Sequence, residues 1–427
     1  MIRSRAELKL SRTSFLLILI IALALFVRLG AIHYLGDFRP AWTEDWENIA
    51  QTIITKGYFG LDTISLYGPN PKGVTSFIPP LYPGFMALSM YLFGSSSMTF
   101  IRIVQAIFST LAVLIIFLLG RKVFQSDVIG LVAALMAALF PPLVGGVVEI
   151  NPVTFEVFFL ALFLLLLISA LHSKNLWLWV CAGIILGIGA LIRPTILMIL
   201  PFLIIVLFVT KDTYSQKSNL RAFIILLIAA GVVILPWTIR NYLVHHEFIP
   251  ISTNGGINFW IGNNPQATGE FINPRGIAQD LLHETEQLGE GARDRFFLIE
   301  GLRFIWENPT QFFRLLGVKL YYFLWSRPNI GQTYSSQDMV DLGRFVYLAG
   351  NALLLPLWLI GLILSFREWR RYSLLYAAIL SVMLVNILFF VGTRYRTPAA
   401  PYQILFASFF VLVAFRCIFK RKKKASI

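Results

Sequence analysis

Charge and cysteine are both scarce in this chain. Of its 427 residues only 14% are Asp, Glu, Lys or Arg, against roughly 25% in an ordinary soluble protein, which excludes a soluble cytosolic enzyme and a charge-rich disordered chain alike. The two cysteines, Cys181 and Cys417, lie in or beside apolar blocks. They offer neither a disulfide framework nor a metal cluster and read as inert packing residues. No HExxH motif is present, so the adjacent His245 and His246, followed by Glu247, carry no zinc reading, and a glycine-rich phosphate loop ending in GK[ST] is also missing. The absence of internal repeats weighs against a transporter built from related halves.

What the chain has in excess is apolar residues, 57% of the total, with a mean hydropathy of +0.73. They fall into blocks separated by short charged segments, and about 20 apolar residues suffice for one helical crossing of a bilayer. The expected fold class is therefore an all-α polytopic membrane protein. Ten blocks read as crossings: 14 to 33, 99 to 119, 127 to 148, 153 to 171, 176 to 193, 195 to 210, 221 to 243, 345 to 366, 373 to 391 and 399 to 419. Two shorter stretches, 81 to 94 and 312 to 326, suit interfacial or re-entrant segments. The N-terminus, basic before an apolar run but lacking a small-residue cleavage site, reads as an uncleaved first crossing.

The net charge of +14 acquires meaning once it is sorted by side. With ten crossings, nineteen of the 36 Lys and Arg fall on one side against four acids, a net +15, while the remainder carries −1. The positive-inside rule makes the basic side cytoplasmic. Both termini are expected there, with the tail Lys420 to Lys424 held at the membrane surface rather than on nucleic acid. Three regions follow: residues 1–243, a seven-crossing catalytic module with a first outer loop at 34–98; residues 244–344, a second outer region; and residues 345–427, three crossings and the basic tail.

In the first outer loop, residues 44 to 56, EDWENIAQTIITK, place Trp46, Ile49, Ala50, Ile53 and Ile54 on one helical face. Such a helix is expected to lie along the outer membrane surface. Its first turn displays Glu44 and Asp45, which either complement the helix dipole or supply a general base at the membrane boundary. The segment FIPPLYPGFMALSMYLF at 77 to 93 is broken by three prolines and rich in aromatics, a signal for an interfacial cleft.

Further charges gather near the same plane. Glu149 and Asn151 end the third crossing and Glu156 opens the fourth; an acid at such depth faces a cavity or a partner, for instance Arg102 or Arg193. For Glu156 the structural pair is the preferred reading. Arg193 in LIRPT, Arg240 with Asn241, and Arg394 with Arg396 sit at the outer ends of other crossings, with Arg28 a weaker member of the set. They either snorkel to the surface or together form a cradle for a lipid phosphate, which a guanidinium fork binds bidentately. The stretch NGGINFWIGNN, with Asn258, Trp260 and Asn263, has a composition suited to sugar binding, or equally to a turn-rich loop.

Taken together, the acidic pair after the first crossing, PPLYP at 79 to 83, GRKVF at 120 to 124, LIRPT, PWTIRNY at 236 to 242, PISTNGGINFWIGNNP at 250 to 265, WENPTQFF at 306 to 313 and TRYRTPAAPY at 393 to 402 resemble glycosyltransferase family 39. This group holds the protein O-mannosyltransferases and lipid A aminoarabinose transferases, in the multi-spanning GT-C class. The resemblance implies a bacterial plasma membrane enzyme, facing outward, that inverts the anomeric centre. It also implies that Glu149 is a second functional acid, close to the acceptor or a divalent cation. Many members carry the pair as Asp-Glu, whereas here the order is Glu44-Asp45, so the base is one of the two. Asp45 is preferred because it lies five residues before Ala50, where related sequences place their acid.

The expected function is transfer of a sugar from a polyprenyl-phosphate donor to a lipid, glycan or protein hydroxyl. No nucleotide cofactor is needed, and a divalent cation is the one candidate cofactor. A transporter or flippase of a lipid-linked or anionic substrate is the alternative reading; it would place paired charges near mid-membrane.

Overall fold

The computed structural model describes residues 12–35, 44–70, 73–94, 97–173, 175–209, 216–325 and 337–425. Arg3, Arg5, Lys9, Lys174 and Lys211 lie outside the described residues, as do the side chains of Glu44, Lys217 and the basic tail from Lys420.

The chain runs α1 (Arg12–Leu35), α2 (Glu44–Lys56), β1 (Thr63–Ile64), β2 (Gly68–Pro69), α3 (Leu81–Phe93), α4 (Ser97–Phe124), α5 (Asp127–Leu139), α6 (Pro141–Gly145), α7 (Val153–His172), α8 (Leu176–Ile192), α9 (Ile199–Val209) and α10 (Gln216–His245). It continues through α11 (Gly255–Gly262), α12 (Gln279–Glu284), α13 (Glu290–Glu307), α14 (Pro309–Leu324), α15 (Gln337–Ser365), α16 (Trp369–Leu388), α17 (Thr393–Arg396) and α18 (Ala400–Ala425). Among the described residues, six helical runs are long and apolar enough to cross a membrane, the run Leu342–Leu388 containing most of α15 and all of α16. Shorter apolar helices, α5, α8 and the run Pro194–Val209, complete the bundle. The protein is an all-α, multi-pass membrane protein, as the hydropathy blocks require.

Between apolar helices in lipid, close packing replaces the hydrophobic drive of water, and small residues at the interface let backbones approach. Gly183 and Gly187 do this where α8 meets α10: a Cβ on Gly183 would lie 2.3 Å from Leu226 O, and one on Gly187 would lie 2.9 Å from Ala230 O.

One helix is broken on purpose. α5 ends at Leu139 because Phe140 is extended and Pro141 and Pro142 cannot donate to Ala137 O and Ala138 O. The donors come instead from α1: Arg28, fully buried, gives Nη2 to Ala137 O (3.4 Å), Nη1 to Ala138 O (3.1 Å) and Ala24 O (3.0 Å), and Nε to Ser109 Oγ (2.7 Å). Arg28 thus sits inside the bundle as a cap for α5, and its expected membership of an outer cradle is corrected.

The two outer segments form one packed layer over the outer helix ends. Ile49 of α2 and Tyr67 and Phe77 of the first segment share a buried cluster with Ile257, Trp260 and Phe297 of the second. Ala50 of α2 packs with Tyr82 and Met86 of α3. The apolar face of α2 is therefore covered by protein rather than lipid, leaving Ile54 exposed.

The stretch NGGINFWIGNN is α11, not a loop, and its glycines serve close approach. A Cβ on Gly256 would fall 1.8 Å from Asp294 O, and one on Gly262 1.7 Å from Phe389 O. Gly262→Ala should therefore lower stability by about 3 kcal/mol, read as a fall in thermal unfolding temperature in detergent. Gly30→Ala, with nothing within 4 Å of the new Cβ, should leave it unchanged.

Candidate active site

The polar residues around Glu149 are positioned by α4. Tyr82, delivered by PPLYP at the start of α3, donates its hydroxyl to Gln105 Oε1 (3.0 Å). Gln105 Nε2 in turn donates to Val147 O (3.0 Å) and Glu149 O (2.9 Å), and Arg102 Nε to Val148 O (2.9 Å). Three successive carbonyls of the turn after α6 are thereby fixed, and with them Glu149. Its carboxylate accepts from Asn151 Nδ2 (2.7 Å), while Asn151 Oδ1 accepts from Val153 N (3.0 Å) at the start of α7. Arg394 lies within electrostatic reach of Glu149.

One turn into α7, Glu156 meets the residue that ends α8. Arg193 Nη1 donates to Glu156 Oε2 (2.6 Å) and Thr195 Oγ1 to Glu156 Oε1 (2.7 Å), with the two charged side chains only 14% and 6% exposed. Pro194 supplies the turn that sets Arg193 and Thr195 on the same acid. The Arg193 guanidinium also lies 4.8 Å from the centroid of the Tyr395 ring, and that of Arg394 lies 4.7 Å from it. Arg394 Nη2 donates to the Tyr395 hydroxyl (2.5 Å). Glu156, Arg193, Thr195, Ser381 and Tyr395 line a narrow cleft together with Leu160, Ile196, Val382 and Val385, and Arg394 reaches it through the Tyr395 ring.

The remaining sequence candidates are held elsewhere. Arg240 donates to Thr75 O (2.8 Å), Ser76 Oγ (2.9 Å), Asn241 Oδ1 (3.2 Å) and Phe59 O (2.9 Å), fastening the first outer segment to the end of α10. Asn241, fully buried, holds Ile249 O, Ile251 O and Ser76 Oγ. Arg396 caps the carbonyl end of α14 at Tyr322 O and Phe323 O and reaches Asn351 Oδ1 on α15. Asn258 donates to Asn254 O, and Asn263, fully buried, to Phe259 O and Leu388 O, while Trp260 is buried against Phe297. The amides of Asn258 and Asn263 and the indole of Trp260 are thus engaged in packing α11 against its neighbours.

Asp45 is 8% exposed at the start of α2, and Ser65 donates to it through both its N–H and its hydroxyl. Sequence reasoning missed Ser65 and also Lys319, a fully buried lysine whose Nζ donates to Asn263 Oδ1 (3.1 Å). Neither belongs to a motif. Among the described residues no three His, Cys, Asp or Glu side chains come together to hold a metal ion.

In the outer layer, Asp294 accepts from Gly256 N (2.6 Å) at the start of α11. Burial raises its pKa from 3.8 to about 6, against the pull of that bond and of Arg295. A carboxyl raised on folding favours the native state while protonated, so its contribution is present below about pH 4 and is lost as pH rises through about 6. Asp294→Asn keeps an acceptor without the charge. It should stabilise the protein by about 2 kcal/mol at pH 7 and not at pH 4, measured as unfolding temperature against pH.

Residues 78–239 match the family model described as dolichyl-phosphate-mannose-protein mannosyltransferase. This bears out the resemblance drawn from the motifs. No curated protein matches the chain. Among solved structures, the oligosaccharyltransferase AglB of Archaeoglobus fulgidus, in complex with an inhibitory peptide and a dolichol-phosphate, superposes with a TM-score of 0.57 at 14% identity, over 96% of this chain and 52% of that one. The same organism's oligosaccharyltransferase tethered with an acceptor peptide containing the NVT sequon gives 0.58 at 14% identity, over 94% and 50%. ArnT from Cupriavidus metallidurans bound to undecaprenyl phosphate gives 0.45 at 13% identity, over 94% and 78%. The chain spans about half the length of the archaeal structures. The fold is that of the GT-C class, and the chain is related to its glycosyltransferases.

Proposed function

We propose that this protein transfers a sugar from a polyprenyl-phosphate donor to an acceptor hydroxyl at the outer face of a bacterial plasma membrane, inverting the anomeric centre. The chain crosses ten times, with both termini cytoplasmic. The observation that carries the reading is the convergence of Arg193 and Arg394 on the Tyr395 ring, with Arg193 and Tyr395 also lining a cleft that includes Leu160, Ile196, Val382 and Val385. Two guanidiniums suit a phosphate, and the apolar wall suits the first isoprene units of its lipid. The family description and the dolichol-phosphate of the AglB complex agree in naming a lipid-phosphate.

Asp45 takes the proton of the acceptor hydroxyl as its oxygen bonds to the anomeric carbon. The bond from that carbon to the phosphate oxygen breaks, through an oxocarbenium-like transition state, and the lipid phosphate leaves with the electron pair. Arg193, oriented by Glu156, and Arg394 stabilise the departing charge. Glu149 and Asn151 line the acceptor side.

The test is incubation of the purified protein in lipid with radiolabelled undecaprenyl-phosphate hexoses and pentoses and a membrane extract as acceptor source. Labelled product is expected from at least one donor. Arg193→Ala should weaken undecaprenyl phosphate binding at least tenfold. No transfer from any donor, together with unchanged lipid-phosphate binding in Arg193→Ala, would overturn the reading.

A further inference from the structure

We propose that Ser65 is a positioning residue for the Asp45 carboxylate, held in place by the second outer segment; this rests on the reading of Asp45 as the base. Ser65 opens the tight turn between β1 and β2, whose register pairs Thr63 with Pro69 and Ile64 with Gly68. The turn closes because Gly68 adopts a φ of +107°, a conformation that glycine takes without strain. Closure turns the Ser65 N–H and hydroxyl toward α2. The N–H lies 3.2 Å from Asp45 Oδ1 and 3.4 Å from Oδ2, and the hydroxyl donates to Oδ2. A carboxylate that accepts on both oxygens from one residue has its plane restrained. That is what proton abstraction from an acceptor hydroxyl needs.

The hairpin is too short to hold itself: two strands of two residues are marginal in isolation. Its support comes from more than 200 residues away. Arg275 Nη2 donates to Ile64 O (2.9 Å), the carbonyl that precedes the Ser65 N–H. Tyr67 stacks on Phe297 at 5.7 Å, and the Arg293 guanidinium covers its ring at 4.9 Å. Arg293 is itself fixed on Thr285 O and Glu286 O. A path of direct contacts thus runs from the second outer segment through Arg275, Ile64 and Ser65 to Asp45. The base is set only when the two outer segments are assembled.

The first measurement needs no substrate. The intact protein in lipid is treated with a water-soluble carbodiimide and a labelled amine, and modification of Asp45 is quantified by mass spectrometry against Asp62, an exposed acid of the same segment. Losing a donor raises the protonated fraction and loosens the carboxyl, so Ser65→Ala should label Asp45 at least fivefold faster relative to Asp62. Ser65→Thr, which keeps both donors, should stay within twofold of the native chain. In the donor-panel transfer assay, Ser65→Ala should lower kcat about tenfold with the donor KM within twofold, and Ser65→Thr should restore it. Unchanged Asp45 labelling, or faster labelling with unchanged kcat, overturns the proposal. Full activity in Asp45→Asn would instead remove the base reading itself, a result distinguishable from either.

Discussion

Asp45→Asn should lower sugar transfer by two to four orders of magnitude, the usual worth of a positioned general base, while leaving lipid-phosphate binding within about threefold. The substitution is close to isosteric, and the amide oxygen can still accept from Ser65, so the start of α2 and the hairpin should stay assembled. What is lost is the capacity to take a proton. The cleft lined by Arg193 and Tyr395 is built from α7, the turn after α8, α16 and α17, none of which supplies Asp45, so donor affinity is expected to be separable from chemistry. The measurement pairs single-turnover transfer of a radiolabelled donor with equilibrium binding of undecaprenyl phosphate. Normal transfer in both Asp45→Asn and Glu44→Gln would remove the first outer loop from the reaction. Normal transfer in Asp45→Asn alone would move the role to Glu44.

Much of the fold is legible in the sequence because lipid leaves few choices. With no water to satisfy the backbone, an apolar block must be helical, and the blocks read as crossings are mostly helical in the structure, with 127 to 148 broken at Phe140 and 195 to 210 opening on a 3-10 turn. The outer layer was harder. The hairpin at 63 to 69 has two-residue strands and no apolar alternation to announce it, so Ser65 could not be found from spacing. The glycines and amides of α11 look the same in composition whether they bind a sugar or permit helix contact. Only the position of Asp294 O and Phe389 O beside Gly256 and Gly262 shows that these two glycines serve close approach.

The arginines teach the same lesson more sharply. Their type and depth were readable, but not which acceptors had been left without donors. Arg240 and Arg396 are occupied by backbone carbonyls of Phe59, Thr75, Tyr322 and Phe323. Arg193 is paired with Glu156, the partner reading preferred for that acid, yet it also faces Tyr395 and the cleft. Of the set drawn from sequence, Arg193 and Arg394 converge, and their meeting point, Tyr395, lay unremarked inside TRYRTPAAPY.

Arg28→Met tests this use of arginine where the effect should be largest in the bundle. Two terms compete. Removing a buried guanidinium relieves its desolvation cost, and replacing buried ionic groups with apolar ones is often neutral or stabilising. Against this, Ala137 O and Ala138 O lose their donors in a region without water, at about 1–3 kcal/mol each. The acceptors of Arg28 are all neutral, and α5 cannot regain its bonds while Pro141 and Pro142 follow. The orphaned carbonyls should win, with a net loss of about 3 kcal/mol and a lower unfolding temperature in detergent. Arg28→Lys should fall between, since one ammonium reaches fewer of the acceptors. The decisive comparison is a double-mutant cycle. In a Pro141→Ala, Pro142→Ala background the two residues regain N–H groups that can serve Ala137 O and Ala138 O, and Arg28→Met should then cost little. An equal loss in both backgrounds would mean that the guanidinium stabilises the bundle by packing alone, and a gain in the native background would mean that its burial is a cost the protein bears for another reason.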